Sequence, residues 1–472
     1  MCHKGSRQRP GRMRPLDPLF PLSSHRSPPH RLPSLFRSLS YIPEGAAPAK
    51  AHPPVVARGG TWNNVFINRI PNGSGSGGGR MDHRAQRSVA LSLFTFTALA
   101  LAVYAYAVNP VTGKSELALV SFTPEEEIAL GAEAYGPAVQ QQGGFYRDQA
   151  LEAYVQGVGM RLARVSHRPN LDYRYRVLNS SVPNAFALPG GFIVINRGLL
   201  VGLKNEAEMA AVLGHETGHV TAKHSLAGYQ RALASNMLLA GVSIAAGGTA
   251  GVMELSGITA SLVNNGFSLG QEREADGLGI DYMVKAGYNP EGAVQLQEYF
   301  YSELEGGKNP MFVEGLFRTH PFSKERMDNA RAYIANRYPA TVKNPNYTLN
   351  ETIFLQKTTR LRKVQKAYDI ADEGDKLLKE KRYGEALAKY QAAAAREPDQ
   401  APFPSSIGRV HLILKEYPAA ESSLQRAVRL DDEFFEPHLL LGALRYLKKE
   451  YRAAIPELGR SMDLIPTKQA AA

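Results

Sequence analysis

A 34-residue period near the C-terminus restricts the fold of this chain more than any other feature. Glycine, tyrosine and alanine each recur at this spacing. The recurring residues are Gly374, Gly408 and Gly442, then Tyr383, Tyr417 and Tyr451, then Ala386, Ala420 and Ala454. Small residues let two helices approach closely, so each period predicts one pair of packed helices. The chain should therefore end in a stack of helix pairs.

The period is that of tetratricopeptide repeats, and we expect three repeats within residues 365–472. They should cover about residues 366–398, 400–432 and 434–466, with the tyrosines closing the turn between the two helices. A plain helical bundle is the alternative. A bundle would not, however, require glycine, tyrosine and alanine each to recur three times at the same spacing. A solenoid of this kind predicts protein partners for the tail. The polar residues 341–364 predict a linker.

The net charge of +11 comes entirely from an N-terminal leader. Residues 1–87 hold 14 Lys and Arg against three acidic residues, and the rest of the chain is neutral. Because Pro, Arg, Ser and Gly dominate residues 1–80, we predict a leader that is disordered or mis-assigned, with Met81 as the start. A neutral body argues against a nucleic-acid partner. The only cysteine is Cys2, so the body cannot form a disulfide or a thiolate metal site.

An apolar run of 20 residues, 88–107, is long enough to span a bilayer. The run follows basic residues and ends in Ala105-Tyr106-Ala107, which fits a signal-peptide cleavage site. Residues 81–110 therefore predict a signal peptide or an uncleaved membrane anchor, and a buried core helix is the other interpretation. Either targeting signal exports the body, which would be periplasmic or membrane-anchored facing the periplasm. The membrane is a partner through residues 88–107 only if the run is uncleaved.

The body at 115–340 predicts an α+β domain dominated by helices. Residues 237–263 are rich in Gly, Ala and Ser, which predicts either packed core or a mobile lid over a site. Gly190-Gly191 predicts a bulge or turn within a strand. We predict helices at 124–166, 206–229 and 267–286, and strands at 171–179 and 186–196.

A His-Glu-x-x-His run inside the predicted helix 206–229 is the main candidate for chemistry. His215 and His219 lie one turn apart on one face and can reach a single ion at about 2.0–2.1 Å. Glu216 projects at a different angle, so it can act on water as a general base. The alternative is a surface helix with two histidines. The helix is otherwise apolar, however, so both histidines would be buried and would need partners.

A catalytic zinc site needs a third protein ligand and an open position. Glu272 and Asp276 share one face of the predicted helix 267–286. Glu272 can bind the metal, and Asp276 can accept the outer N–H of a ligand histidine. A solvated charged face is the alternative for this pair. His224 follows His219 by five residues, off the ligand face, and we expect it to be structural or exposed.

These motifs together resemble the HtpX and BepA type of zinc metallopeptidase. The resemblance rests on the His215–His219 run, on Glu272-x-x-Ala275-Asp276 and on His320-Pro321, and it covers about residues 115–340. Residues 183–191 also resemble the strand before the active-site helix of that family. The resemblance implies an α+β, mostly helical gluzincin-type metallopeptidase domain. An α-helical tetratricopeptide solenoid, as in the BepA branch, would follow it.

The resemblance also implies the site. One zinc ion per chain would be held by His215, His219 and Glu272, with Glu216 as base and Asp276 behind a ligand histidine. His320 would either donate to the oxyanion or act as a fourth ligand that blocks the resting site. We expect the substrate to pair as an added strand. The residues along that strand are Asn184, Phe186, Ala187, Gly190 and Gly191.

Sequence alone thus predicts a zinc metalloendopeptidase that cleaves misfolded or envelope polypeptides, with repeats that bind partners or clients. The competing prediction is a tetratricopeptide adaptor or chaperone of the envelope with a latent protease site.

Overall fold

The computed structural model describes residues 106–245, 266–306, 311–322 and 324–465, together with residue 92. The described residues belong to one unit that spans residues 56–472. The predicted leader and most of the predicted membrane segment lie outside the described residues, as do residues 246–263 of the Gly- and Ala-rich stretch. Within the described part of the chain, no helix combines the length and the apolar character that crossing a membrane requires.

A small hairpin opens the described chain. Strand β1 (Tyr106–Val108) pairs antiparallel with β2 (Ser115–Leu117). The last two residues of the predicted apolar run, Tyr106 and Ala107, are therefore in a strand and not in a helix. Asn109 sits in the turn, where its Nδ2 donates to the carbonyl of Ala222 at 2.7 Å. This bond ties the hairpin to the domain that follows.

Two helices occupy the region that the sequence predicts as a single helix, so the prediction for 124–166 is wrong at its centre. Helix α1 (Pro124–Gln141) is followed by α2 (Gln149–Arg164). Gly143 and Gly144 have φ values of 78° and 82°, which end α1 because a right-handed helix cannot continue through this conformation. Asp148 then caps α2, accepting from the N–H of Leu151 at 3.1 Å.

A three-stranded sheet follows these two helices along the chain, and its strands are arranged in the order β3-β5-β4. Strand β3 (Arg174–Leu178) confirms the prediction for 171–179 and runs parallel to β5 (Phe192–Asn196). The prediction of one strand at 186–196 is wrong in part. A turn at Pro189–Gly191 reverses the chain, so β4 (Ala185–Leu188) pairs antiparallel with β5. Among the described strands, β4 forms the outer edge next to the long buried helix.

That buried helix is α4 (Glu206–Thr221), which follows the short α3 (Arg197–Gly202). The predicted helix 206–229 breaks at Ala222 and Lys223, whose φ of 56° is left-handed, and α5 (His224–Ala245) starts a new direction. Helix α4 crosses α6 (Leu269–Lys285), and the two backbones are in contact at the crossing. A Cβ built on Gly214 or Gly218 would lie within 3.1 Å of the α6 backbone. This close packing sets the distance between the two helices that carry the predicted metal ligands.

Four further helices complete this part of the molecule. They are α7 (Glu291–Gly306), α8 (Met311–Glu314), α9 (Leu316–Thr319) and α10 (Lys324–Arg337). The predicted linker 341–364 contains α11 (Glu351–Lys357) and the start of the next helix. Phe354 of α11 is fully buried, so this segment packs on the body.

Six helices in three pairs form the tail and follow the 34-residue period. In each pair the recurring glycine contacts a side chain of the partner helix, namely Tyr390, Leu424 or Leu458. Each recurring tyrosine is the first residue of the second helix. The helices are α12 (Thr359–Lys379), α13 (Tyr383–Arg396), α14 (Pro402–Ile413), α15 (Tyr417–Leu430), α16 (Phe435–Leu447) and α17 (Tyr451–Leu464).

Arg197 joins the tail to the rest of the molecule. Its buried guanidinium lies 3.6 Å from the ring centroid of Tyr368 and donates to Gln365 at 3.2 Å. Arg362 adds two bonds to the carbonyls of Val201 and Leu203, at 2.9 and 2.6 Å. These contacts hold helix α12 against α3.

Candidate metal centre

His215 and His219 point from one face of α4 into the protein, as their spacing predicts. Their Nε2 atoms lie 3.0 Å apart, and the side chain of His219 is fully buried. Asn205 starts α4 by accepting from the N–H of Glu208 at 2.9 Å, which fixes where the helix begins. The two imidazoles thus meet at a point beside the helix that both can reach.

Glu272 meets both histidines from the first turn of α6. The carboxylate is fully buried, with Oε1 3.4 Å from His219 Nε2 and Oε2 3.6 Å from His215 Nε2. A capping box between Ser268 and Gln271 starts α6 at this point. Burial acts to raise the pKa of Glu272, but the charges of His320, Arg326 and His215 outweigh it and hold the pKa well below its usual range.

His320 completes the group from the end of α9. Its Nδ1 lies 3.1 Å from Glu272 Oε1 and 3.3 Å from His215 Nε2. Burial acts to lower the pKa of His320, but Glu272 and Glu216 outweigh it and raise the pKa to about 9. One atom from each of His215, His219, Glu272 and His320 lies within 4.8 Å of all the others.

The spacing of these four atoms fits a zinc ion. Ligand atoms about 2.1 Å from a tetrahedral centre lie about 3.4 Å from one another. The five contacts given above, one of them made by Glu272 Oε2 and two by Oε1, range from 3.0 to 3.6 Å around this value. Three imidazoles and one carboxylate are also a donor set that zinc accepts.

Glu216 lies beside this group without joining it. The side chain is 1% exposed, and its Oε1 is 3.5 Å from His320 Nε2. Within the described residues, Glu216 Oε2 and His320 Nε2 are buried and have no hydrogen-bond partner. Burial raises the pKa of Glu216. A buried carboxylate with one oxygen free of hydrogen bonds and a raised pKa can take a proton.

Asp276 lies where the sequence predicts, behind a ligand histidine. Its Oδ1 accepts from Nδ1 of His215 at 2.9 Å. Arg326, which the sequence analysis missed, donates to both Asp276 oxygens at 2.7 and 2.8 Å. Burial acts to raise the pKa of Asp276, but Arg326 and His215 outweigh it and lower the pKa to about 2. No spacing in the sequence points to Arg326, because it reaches the site from another helix, α10.

His224 is structural, and the alternative that it is exposed is wrong. The side chain is fully buried and its Nδ1 lies 2.9 Å from His219 Nδ1. Phe267 stacks on the other side of the His219 ring, with centroids 3.8 Å apart and planes inclined by 25°. The sequence analysis missed Phe267 as well.

The predicted substrate-strand residues separate into two groups. Asn184, Phe186 and Ala187 lie along or beside the edge strand β4, and Asn184 Oδ1 accepts from Thr319, the neighbour of His320, at 3.4 Å. Gly190 and Gly191 instead form the turn that follows β4. A Cβ on these glycines would meet Ile128 and the Asp172–Tyr173 backbone. The two glycines therefore form the turn that the sequence predicts and lie beyond the end of the edge strand; the substrate role of all five residues stays a prediction.

An apolar cavity of about 40 Å³ opens beside Glu216 and His320. That volume holds about three water molecules. Gln297 also lines the cavity; it is 6% exposed, and its Oε1 has no hydrogen-bond partner in the described part of the chain. Much of the remaining wall is apolar and includes Met283, Leu296, Phe300, Phe317 and Phe322.

Comparison with known proteins agrees with this geometry. The model of peptidase family M48 matches residues 149–334. Mitochondrial metalloendopeptidase OMA1 of Schizosaccharomyces pombe is 32% identical over 239 residues, which are 48% of this chain and 65% of OMA1. The beta-barrel assembly-enhancing protease of Escherichia coli K12 is 28% identical over 273 residues, which are 54% of this chain and 53% of that protein.

A further relative is metalloprotease YcaL of Escherichia coli K12. It is 31% identical over 185 residues, which are 38% of this chain and 70% of YcaL. The chain thus spans 65% of OMA1 and about half of the beta-barrel assembly-enhancing protease. All the residues of the metal centre lie inside the matched family region. The chain therefore belongs to peptidase family M48, a family of zinc-dependent metallopeptidases.

Proposed function

We propose that this protein is an exported zinc metalloendopeptidase that cleaves unfolded or misassembled polypeptides of the cell envelope. The observation that carries the proposal is the meeting of His215, His219, Glu272 and His320 around one point, with the buried carboxylate of Glu216 beside it and its Oε2 without a hydrogen-bond partner in the described residues. A site that only stabilises the fold has no need of a buried carboxylate next to its ligands.

Glu216 and Asp276 would have different roles in the reaction. A zinc ion at this point supplies Lewis acidity, which activates water and polarises a peptide carbonyl. Glu216 takes the proton of the attacking water and later passes one to the leaving amine, a role that its raised pKa favours. Asp276 holds His215 in the tautomer that directs Nε2 toward the metal.

His320 has the geometry of a fourth ligand. Its Nδ1 lies near Glu272 and His215, so it could take the fourth position, which a catalytic zinc site leaves open. A proton and a metal ion compete for this nitrogen, because Glu272 and Glu216 raise the pKa of His320. We propose that His320 blocks the resting site; donation to the oxyanion is the alternative role that its position beside Glu216 allows.

The edge of β4 that does not pair with β5, which is buried in this structure, is the surface proposed for the substrate backbone. The N–H of Asn196 donates to the carbonyl of Asn184 at 2.8 Å. The backbone N–H and C=O groups of residues 184, 186 and 188 therefore point toward β5. The alternation of antiparallel strands then directs the backbone groups of Ala185 and Ala187 outward. The Ala187 carbonyl accepts from Ser225 at 3.3 Å, in agreement with this direction. Pairing through the backbone would accept extended peptides of many sequences.

The apolar cavity beside Glu216 is proposed to hold a substrate side chain next to the cleaved bond. Its size and its aliphatic and aromatic wall favour a medium-sized apolar residue. Such residues are exposed in unfolded chains and buried in folded ones, which supports unfolded proteins as substrates.

Export and partner binding complete the proposal. Residues 88–107 would act as a signal peptide or membrane anchor, and the three helix pairs of the tail as tetratricopeptide repeats that bind partners or clients. The beta-barrel assembly-enhancing proteases among the relatives support a role in the envelope.

A second candidate function follows from the position of His320. If His320 stays on the metal, the chain would act mainly as an envelope adaptor or chaperone with a latent site.

The test is cleavage of an unfolded protein by the purified chain and by Glu216→Gln. The variant should bind zinc as the parent protein does but lose nearly all turnover. Retained turnover in Glu216→Gln would remove the proposed base. Zinc binding without turnover in both the parent protein and His320→Ala would favour the adaptor.

A further inference from the structure

The break between α4 and α5 places His224 directly behind a metal ligand. In an unbroken helix His224 would lie about 140° around the axis from His219, because each residue turns the helix by about 100°. Lys223 is left-handed, with a φ of 56°, and α5 starts at His224 in a new direction. The Nδ1 atoms of the two histidines then lie 2.9 Å apart, both side chains fully buried.

If His219 binds zinc, it is determined which of the two histidines donates and which accepts. His219 presents Nε2 to the other ligands, so this nitrogen must keep its lone pair and the proton must be on Nδ1. His219 Nδ1 therefore donates, and His224 Nδ1 accepts. A neutral His224 then carries its own proton on Nε2, which lies 3.1 Å from Glu274 Oε2. In this series of hydrogen bonds His219 donates to His224, and His224 donates to Glu274. The series therefore ends at the Glu274 carboxylate.

Lys114 closes the series from outside. Its ammonium forms an ion pair with Glu274 and comes from the turn of the β1–β2 hairpin. The same hairpin is held by Asn109, which donates to the Ala222 carbonyl just before His224. The hairpin therefore contacts both the carboxylate and the helix break that position His224.

We propose that His224, Glu274 and Lys114 are positioning residues that hold His219 in the orientation and tautomer that bind zinc. The two ligand histidines would then be supported differently. His215 donates directly to the carboxylate Asp276, whereas His219 reaches its carboxylate through a second imidazole. Residues 109–114, far from the ligands in sequence, would become part of the metal centre. The inference rests on the zinc site proposed above but not on its peptidase activity.

The test is zinc affinity of the full chain, measured by competition with a chromogenic chelator. Loss of the acceptor in His224→Phe should weaken zinc binding about 10- to 100-fold. His224→Asn keeps an acceptor near the Nδ1 position and should recover part of this loss. His411→Phe is the matched control, because His411 pairs with Glu416 at 2.6 Å in the repeat region; its zinc affinity should equal that of the parent protein.

Glu274→Gln removes the charge at the end of the His219–His224–Glu274 series but keeps a side chain of the same shape. It should weaken zinc binding less than His224→Phe does, and the visible spectrum of the cobalt-substituted protein should shift in both variants. Lys114→Met combined with Glu274→Gln should weaken binding no more than Glu274→Gln alone, since both changes interrupt one path.

The outcomes separate this inference from the proposed function. A parent protein that binds no zinc would overturn both. A folded His224→Phe or Glu274→Gln protein that binds zinc within twofold of the parent, with an unchanged cobalt spectrum, would overturn the positioning series alone. If His224→Phe does not fold by circular dichroism, the Glu274→Gln result decides.

Discussion

Arg326 joins Glu272 to Asp276: its Nη1 lies 2.5 Å from Glu272 Oε2, and its Nη2 lies 2.7 Å from Asp276 Oδ1. One buried cation therefore neutralises both a proposed ligand and the carboxylate that orients another ligand. The arrangement explains how two acidic side chains, the buried Glu272 and the largely buried Asp276, can lie close together, since buried charges require partners.

Replacing Arg326 with Met should destabilise the protein by roughly 3–5 kcal/mol, because two buried carboxylates lose their partner. Zinc affinity should fall as well. The free energy of unfolding in urea measures the first effect. Arg273→Met is the control: Arg273 pairs with Glu325 at 2.9 Å on the surface, and its loss should cost less than about 1 kcal/mol. Equal effects of the two substitutions would contradict the proposed role of Arg326.

His320→Ala should open a coordination position. Three donors remain, so the protein should still bind zinc, with lower affinity, and its turnover of an unfolded substrate should rise several-fold. A fluorogenic peptide assay on zinc-loaded protein measures the change. A fall of more than about 100-fold in turnover at full zinc occupancy would instead identify His320 as an essential oxyanion donor.

A glycine at the helix crossing should be sensitive to a single methyl group. A Cβ on Gly279 would lie 2.9 Å from the backbone nitrogen of His215, so Gly279→Ala should separate α4 from α6. We expect a stability loss of about 1–3 kcal/mol and weaker zinc binding. Gly277→Ala on the same helix is the control, because its Cβ would lie 3.7 Å from Tyr333. That variant should be neutral or more stable by about 0.5–1 kcal/mol.

Glu206 should make stability depend on pH away from the metal centre. It accepts from Tyr154 at 2.5 Å, from Arg161 at 2.6 Å and from Tyr288 at 2.9 Å. Burial acts to raise the pKa of Glu206, but these bonds outweigh it and lower the pKa in the folded protein. The contribution is therefore present above the unfolded pKa of about 4.3 and is lost as pH falls through the folded pKa.

The Glu206→Gln variant should accordingly be less stable than the parent protein at pH 7, by about 1–3 kcal/mol. The difference should shrink as pH is lowered through the acid range. Urea unfolding at pH 7, 5, 4 and 3 measures it. A difference that stays constant over this range would exclude the ionised carboxylate as its source.

Ala187→Pro should impair substrate binding at the edge of β4. The substitution removes an outward N–H while leaving the ladder to β5 intact. The KM for an extended peptide should rise, and zinc content should not change. An unchanged KM in a folded variant would exclude pairing of the substrate at Ala187.

Sequence by itself determined the features that depend on local geometry. His215, Glu216 and His219 are positioned by one helix, so their spacing is enough to predict which of them face a common point. The period of 34 residues likewise predicts the helix pairs of the tail, because each glycine packs within its own pair. The same local reasoning failed at Lys223, where one residue changes the chain direction. At Gly190-Gly191 it predicted a bulge or turn but not that the chain reverses there into a second, antiparallel strand.

Only the tertiary structure decided which distant residues support the ligands. Arg326, Phe267 and the His224–Glu274 pair reach the centre from separate elements, and no periodicity in the chain encodes their meeting. Their positions depend on the close crossing of α4 and α6 and on the reversal at Lys223. The pairing of His215 with His219 is set within one helix, whereas their meeting with Glu272 and His320, and the hydrogen bonds and charges around all four, are set by packing between helices.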